Sequence, residues 1–170
     1  MELILPCGHY YLSYLEAIEE NKRNNVDSGN FIGVTRPNII EHFENCRLGI
    51  NLPEGYAPRT GLWLVDNGGF IGEIVIRHSL SGELMRIAGH IGYAVRYSKW
   101  NMGYGTEMLS MALEYTKENL NFDKVLILCD DDNYASARVI EKNGGKLWDK
   151  IIEDEAGDKE TLLRRYRIEL

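Results

Sequence analysis

The chain is poor in cysteine, in long apolar runs and in positive charge. Its three cysteines, Cys7, Cys46 and Cys129, are scattered and odd in number. That spacing supports neither a disulfide framework nor a metal-ligand set, and it suits a reducing cytoplasm. Cys129 ends an apolar run and reads as a small core residue. No apolar run is long enough to span a bilayer. The N-terminus, Met1-Glu2-Leu3-Ile4-Leu5-Pro6, has no basic region followed by a long apolar core, so no secretory signal is expected. The formal net charge is −7, and the isoelectric point is near 5.1. Such a chain repels nucleic acid and anionic membranes at long range. A local phosphate site remains open to it, because backbone N–H groups can bind an anion. The expectation is a cytoplasmic protein, monomer or homodimer, with no nucleic-acid or membrane partner and no bound metal.

What is present is a core. Of 170 residues, 44% are hydrophobic, enough for one domain spanning 1–170. Tyr11, Tyr14, Leu15 and Ile18 fall at helical spacing, which predicts a helix from about Tyr10 to Asn21. Asn24 to Asn30 reads as a loop. Pro37, followed by Ile39, Ile40 and Phe43, predicts a short second helix with Pro37 in its first turn. Leu52 to Thr60 reads as a connector, with part of a substrate rim as the alternative. Leu62 to Val65 and Phe70 to Arg77 read as strands joined by the hairpin turn Asp66-Asn67-Gly68-Gly69. Ser79 to Glu83 breaks the second of them, and Ala88 to Tyr97 predicts the next strand. Glu107 to Leu120 carries Leu109, Ala112, Leu113, Thr116 and Leu120 on one helical stripe. Lys124 to Cys129 is a strand apolar on both faces. Asp130 to Asn133 is a turn with capping residues. Ala135, Val139 and Ile140 predict a short helix closed by Asn143-Gly144-Gly145. Lys146 to Ile152 and Leu162 to Leu170 are strands around a polar turn at Glu153 to Asp158. The order is that of an α/β chain, a mixed sheet flanked by helices.

One stretch organises the rest. Trp100-Asn101-Met102-Gly103-Tyr104-Gly105-Thr106 lies where a strand gives way to a helix. The first helical turn has N–H groups without internal partners, and its dipole end is positive. Glycine lets a phosphate approach the backbone, and Thr106 adds a hydroxyl. The stretch reads as a pyrophosphate cradle. Met108 stands where a dinucleotide fingerprint would place its third glycine, and no Gly-Lys-Ser/Thr is present.

Three features together resemble the GNAT superfamily of acetyl-CoA-dependent N-acetyltransferases. The first is Tyr93-Ala94-Val95-Arg96 followed by Gly103-Tyr104-Gly105-Thr106-Glu107-Met108-Leu109, similar to the family's fourth strand and its Gln/Arg-x-x-Gly-x-Gly/Ala turn. The second is Asn133-Tyr134-Ala135-Ser136-Ala137-Arg138-Val139-Ile140-Glu141-Lys142-Asn143-Gly144-Gly145, similar to the helix after the fifth strand. The third is the element order, from about Leu62 to Leu170. Ile76 to Leu80 and Gly89 to Tyr93 further resemble a bacterial subgroup of predicted acetyltransferases. The resemblance implies a mostly antiparallel sheet whose fourth and fifth strands splay. It implies acetyl-CoA as cofactor. The backbone of Ala94, Val95 and Arg96 would pair with the pantetheine arm, and Tyr93 would be among the cofactor-binding residues. Asn101, Met102, Gly103, Tyr104, Gly105 and Thr106 would hold the pyrophosphate. Asn133 would bond the pantetheine end, and Ser136 and Val139 would line the channel.

The chain departs from the family pattern twice. Trp100 replaces the usual Gln or Arg, a loss for which Arg96 or Lys99 would compensate. Ile140 replaces the tyrosine that protonates the leaving thiolate. A thiol has a pKa of roughly 8.5, so this loss slows transfer without forbidding it. The implied reaction is direct attack by an amine of a small molecule or a protein on the thioester. The base candidates are His90, His78 and Glu73. His90 lies on the cofactor strand, but an odd number of residues before Val95, where family bases often sit at an even number. Arg77 and Glu73 share a strand face and are expected to pair. A catalytically inactive coenzyme A sensor and a nucleotide-binding module are the rival readings.

Overall fold

A computed structural model of the chain describes residues 1–26, 38–82, 84–155 and 159–170. Pro37, most of the Asn24 to Asn30 loop, and parts of the breaks at Ser79 to Glu83 and Glu153 to Asp158 lie outside those residues. The strands are β1 (Glu2–Ile4), β2 (Arg59–Asp66), β3 (Gly69–Arg77), β4 (Ile91–Val95), β5 (Lys124–Asp130), β6 (Lys146–Glu155) and β7 (Lys159–Glu169). The helices are α1 (Tyr11–Arg23), α2 (Ile39–Leu48), α3 (Tyr104–Leu120) and α4 (Tyr134–Lys142). All seven strands form one sheet in the order β1-β2-β3-β4-β5-β7-β6. Every pairing is antiparallel except β4 with β5.

Alternation along the strands divides the core in two. Leu62, Leu64, Ile74, Ile76 and Ile91 face α3 and α4, where Met108, Leu109, Ala112, Ala137 and Ile140 meet them. Trp63, Val65 and Phe70 face α1 and α2, against Tyr14, Ala17, Ile18, Ile39 and Phe43. Trp63 is fully buried. It stacks on Tyr14 with ring centroids 4.7 Å apart and meets Phe70 edge-on at 5.4 Å. The tyrosine stripe of α1 is therefore core at Tyr14. Gly61 is required beneath this cluster, since a Cβ there would stand 2.5 Å from the Phe43 ring.

Several elements differ from the pattern-based expectation. β1 is three residues long, too short to show a period, and forms by pairing with β2. β2 begins at Arg59, inside the expected connector. The strand expected from Ala88 starts only at Ile91. Leu84–Ala88 is a turn of π-helix, and Gly89 has φ +67° in close contact with the Leu126 carbonyl. Helix α3 begins three residues early, so Tyr104, Gly105 and Thr106 are its first turn. Glu73 and Arg77 do not pair: Glu73 accepts from the Trp63 indole at 3.1 Å, and Arg77 donates to the Gly89 carbonyl at 3.2 Å.

Helix α1 is tied to the chain that follows β4. Glu20 takes two donors from Arg96, the nearer at 2.6 Å, and a third from the Ser98 N–H. Tyr97 N–H donates to the Asn21 side chain at 3.0 Å. Burial pushes the Glu20 carboxyl up, but these donors outweigh it and hold its pKa below 4.5. The folded state therefore binds this proton less readily than the unfolded one. The stabilisation is present above the ordinary carboxylate pKa and is lost as pH falls through the lowered value.

Two outcomes follow for urea unfolding. Trp63→Ala should lose about 3–5 kcal/mol, since it opens a cavity and strips Glu73 of a buried donor. Glu20→Gln should lose about 1–3 kcal/mol at neutral pH. Its deficit should shrink when the comparison is repeated below pH 4; an equal deficit at both pH values would contradict the assignment.

Candidate functional site

The site begins where two strands part. β4 and β5 run parallel but register only at Ile91 opposite Ile127. Beyond that point β5 stays bonded to β7 along its length, while β4 stays on β3. A slot opens between them. The β3 register decides which backbone groups face it. Arg77 N–H bonds the His90 carbonyl and Arg96 N–H bonds the Ile71 carbonyl, at 2.7 and 2.9 Å. Residues of that parity, including Gly92 and Ala94, thus direct their backbone groups to β3. Tyr93 and Val95 direct theirs into the slot. This corrects the expectation for Ala94 and Arg96, whose backbone groups are already committed.

The end of the slot is built by residues 95–106. A 3-10 turn, Tyr97–Lys99, follows β4. Asn101 and Gly103 are left-handed, at φ +58° and +87°. Gly103 caps α3 with no side-chain hydrogen bond. Thr106 N–H bonds the Gly103 carbonyl. Tyr104 and Gly105 thus present first-turn N–H groups that no helix carbonyl can reach. Tyr104 is fixed by a hydroxyl bond to Asp66 at 3.0 Å, from the β2–β3 hairpin. A Cβ on Gly105 would touch Val139 at 3.4 Å and Val95 at 3.8 Å, so this glycine seats α4 against the turn. Asn143 adds a bond from α4 to the Thr106 carbonyl at 3.2 Å. Met102 stands exposed beside the turn.

Trp100 has a use that its sequence position did not signal. Its indole N–H donates to the Val95 carbonyl at 2.7 Å, closing one of the slot-facing acceptors. Arg96 does not replace the missing phosphate contact, since its guanidinium is spent on Glu20 and the Phe70 carbonyl.

Across the slot, Asn133 caps α4, accepting from Ser136 N–H at 3.0 Å. That leaves its amide N–H groups for other partners. The Tyr93 and Ser136 hydroxyls meet at 2.8 Å, bridging β4 to α4. Burial raises the Tyr93 hydroxyl, so it stays protonated. Burial pushes the neighbouring Cys129 thiol up to about 11. Ile140 is fully buried in the core and reaches nothing in the slot. In sequence Tyr93 was counted only among the cofactor-binding residues; its hydroxyl contact depends on α4, forty-odd residues later.

The two histidines lie outside the slot. His90 Nδ1 accepts the Leu126 N–H at 2.9 Å, while its own N–H bonds the Leu126 carbonyl. In the neutral ring this places the proton on Nε2, so no lone pair remains for base work. Burial first, and then Arg77, lower its pKa. His78 turns its Nε2 to the Thr60 hydroxyl on β2, at 2.8 Å. Burial and then Arg47 lower it too. The structure holds the His90 ring on Leu126 of β5, below the point where the strands part, and the His78 ring on β2. Among the described residues no group of His, Cys, Asp and Glu could hold a metal ion, and no helix is long and apolar enough to cross a membrane.

The arrangement offers N–H donors for a diphosphate at one end and a strand edge for an extended amide arm beside it. The family model for the acetyltransferase (GNAT) domain matches residues 35–146. Among solved structures, the RimL ribosomal-protein α-N-acetyltransferase in complex with coenzyme A aligns with a TM-score of 0.71 at 17% identity, over 99% of this chain and 93% of that one. A GNAT-family acetyltransferase from Bacillus anthracis aligns at 0.57 and 23%, over 81% and 76%. A chimera of the spermidine N-acetyltransferase SpeG from Vibrio cholerae with hSSAT aligns at 0.66 and 13%, over 99% and 96%. Since the matched domain takes up more than half of the chain, and the parted strands and uncapped helix start are in place, this protein belongs to the GNAT family of acetyltransferases.

Proposed function

We propose that the slot receives acetyl-CoA and that the acetyl group passes to an amine by direct attack in a ternary complex. The single observation that carries this is the divergence of β4 from β5 just after Ile91, ending at the uncapped start of α3. Tyr104 and Gly105 N–H groups would hold the pyrophosphate, with the left-handed turn at Asn101 and Gly103 giving it access. Tyr93 and the Val95 N–H would pair with the pantetheine arm as a neighbouring strand does. The Asn133 amide N–H would hold the arm's end, and Val139 would line the channel. Acetyl-CoA supplies the activated thioester. The protein holds both reactants together, which is the larger part of the acceleration.

Tyr93 N–H would meet the carbonyl oxygen as it gains charge. The Tyr93–Ser136 hydroxyl pair would give a proton to the departing thiolate, in the role Ile140 cannot fill. An alkylammonium has a pKa of about 10.4, and its proton would leave to water at the slot mouth. His90 would position rather than accept protons, fixing the foot of the slot. The three free cysteines fit a reducing compartment.

Calorimetry with coenzyme A and consumption of acetyl-CoA across an amine panel test this reading. Gly105→Val should weaken coenzyme A binding by about tenfold or more, by crowding Val139 and screening the first-turn N–H groups. Tyr93→Phe should lower kcat by about tenfold, with KM for acetyl-CoA little changed, because the hydroxyl acts only as the thiolate leaves. Binding without turnover on any amine would instead favour a coenzyme A sensor.

A further inference from the structure

At the end of β4 away from the glycine turn, the sheet carries positive charge that its neighbours do not balance. Arg59 and Arg77 lie directly opposite each other on β2 and β3. Their side chains therefore share the α1/α2 face, with Cβ atoms about 5 Å apart. His90, just before β4, is the register neighbour of Arg77, its carbonyl bonded by Arg77 N–H at 2.7 Å, while its ring turns to the Leu126 N–H of β5. Arg77 spends one donor on the Gly89 carbonyl. Arg59 rests 5.9 Å from the centre of the Tyr56 ring. Among the described residues neither guanidinium has a carboxylate partner. Glu44, the nearby acid of α2, is taken by Arg47 at 2.6 Å. Glu73, the acid on the same face of β3, is bonded by Trp63. Like charges directly opposite each other on a sheet are destabilising. This pair is kept in a chain whose net charge is −7.

The phosphates of coenzyme A are not the partner, since the uncapped helix start lies at the other end of β4. The slot itself points to another molecule. Its α3/α4 face is closed by the Tyr93–Ser136 bridge and by Val139 against Gly105. The α1/α2 face of β4 carries only the small side chains of Gly92 and Ala94. An amine therefore comes to the thioester from that face, where the arginines stand. At about 3.3 Å per strand residue, Tyr93 is roughly 10 Å along β4 from His90 and the arginine row.

We propose that Arg59 and Arg77 read the acceptor, and that the acceptor is an amine bearing an oxyanion, a carboxylate or phosphoryl group, several bonds from its nitrogen. The inference rests on the transferase reading above and narrows it. It sets this site apart from one built for a polyamine, whose charge these arginines would repel.

The test is titration of the full chain, loaded with coenzyme A, by calorimetry. The probes are ε-aminocaproate, aminopropylphosphonate, ε-aminocaproamide and cadaverine. At least one of the two acids should bind about tenfold or more tighter than the amide and the diamine, as expected for charge-assisted bonds to a guanidinium. Which acid binds better identifies the oxyanion. Arg59→Gln should remove the preference while leaving coenzyme A affinity and the unfolding midpoint unchanged. Arg59 is the residue to vary, because Arg77 also anchors Gly89. Equal or tighter binding of the amide or the diamine overturns the proposal, and so does a preference that survives Arg59→Gln. If wild type binds no coenzyme A, the transferase reading falls and takes this inference with it. If coenzyme A binds and the acids show no preference, this inference alone fails.

Discussion

The structure depends on β4 being fastened to β5 at one point and released beyond it. The fastening is His90, whose backbone N–H and ring Nδ1 both engage the peptide groups of Leu126. Gly89 makes this approach possible, since a Cβ there would stand 2.7 Å from the Leu126 carbonyl. Past Ile91 the two strands follow different partners, β3 on one side and β7 on the other. Backbone groups on the parting edge lose their sheet partners, and buried peptide groups without partners are costly. Trp100 satisfies one of them, the Val95 carbonyl.

The same economy shapes the far end of the slot. A helix start needs caps or anions for its N–H groups. Gly103 supplies the left-handed turn but no capping side chain. The α1 tie through Glu20 and Asn21 holds the preceding segment in place. Arg96 is spent in this tie, so what the helix start offers is backbone donors. Charge is thus used locally: an acidic chain keeps Arg96 where it braces the segment after β4.

Much of the fold was readable as pattern. The stripe Leu109, Ala112, Thr116 is buried as its spacing required. The Asp66 to Gly69 turn closes the β2–β3 hairpin, with Asn67 and Gly68 left-handed. The glycine turn marked the junction where the chain after β4 enters α3. Less visible were features decided by neighbours distant in sequence. Strand β1 has no period to detect. The late start of β4 follows from Gly89 meeting Leu126. The Tyr93 hydroxyl finds its partner in Ser136. His90 looked available for proton transfer because sequence cannot show which nitrogen a backbone N–H already occupies.

By itself the sequence determined the apolar periods, the turns and the strand-to-helix glycines, because these express short-range sterics and solvent exclusion. Tertiary structure alone decided which strand edge faces the slot, which histidine nitrogen carries a proton, and that two arginines eighteen residues apart stand side by side. Those outcomes follow from strand register, which couples residues through hydrogen bonds across space.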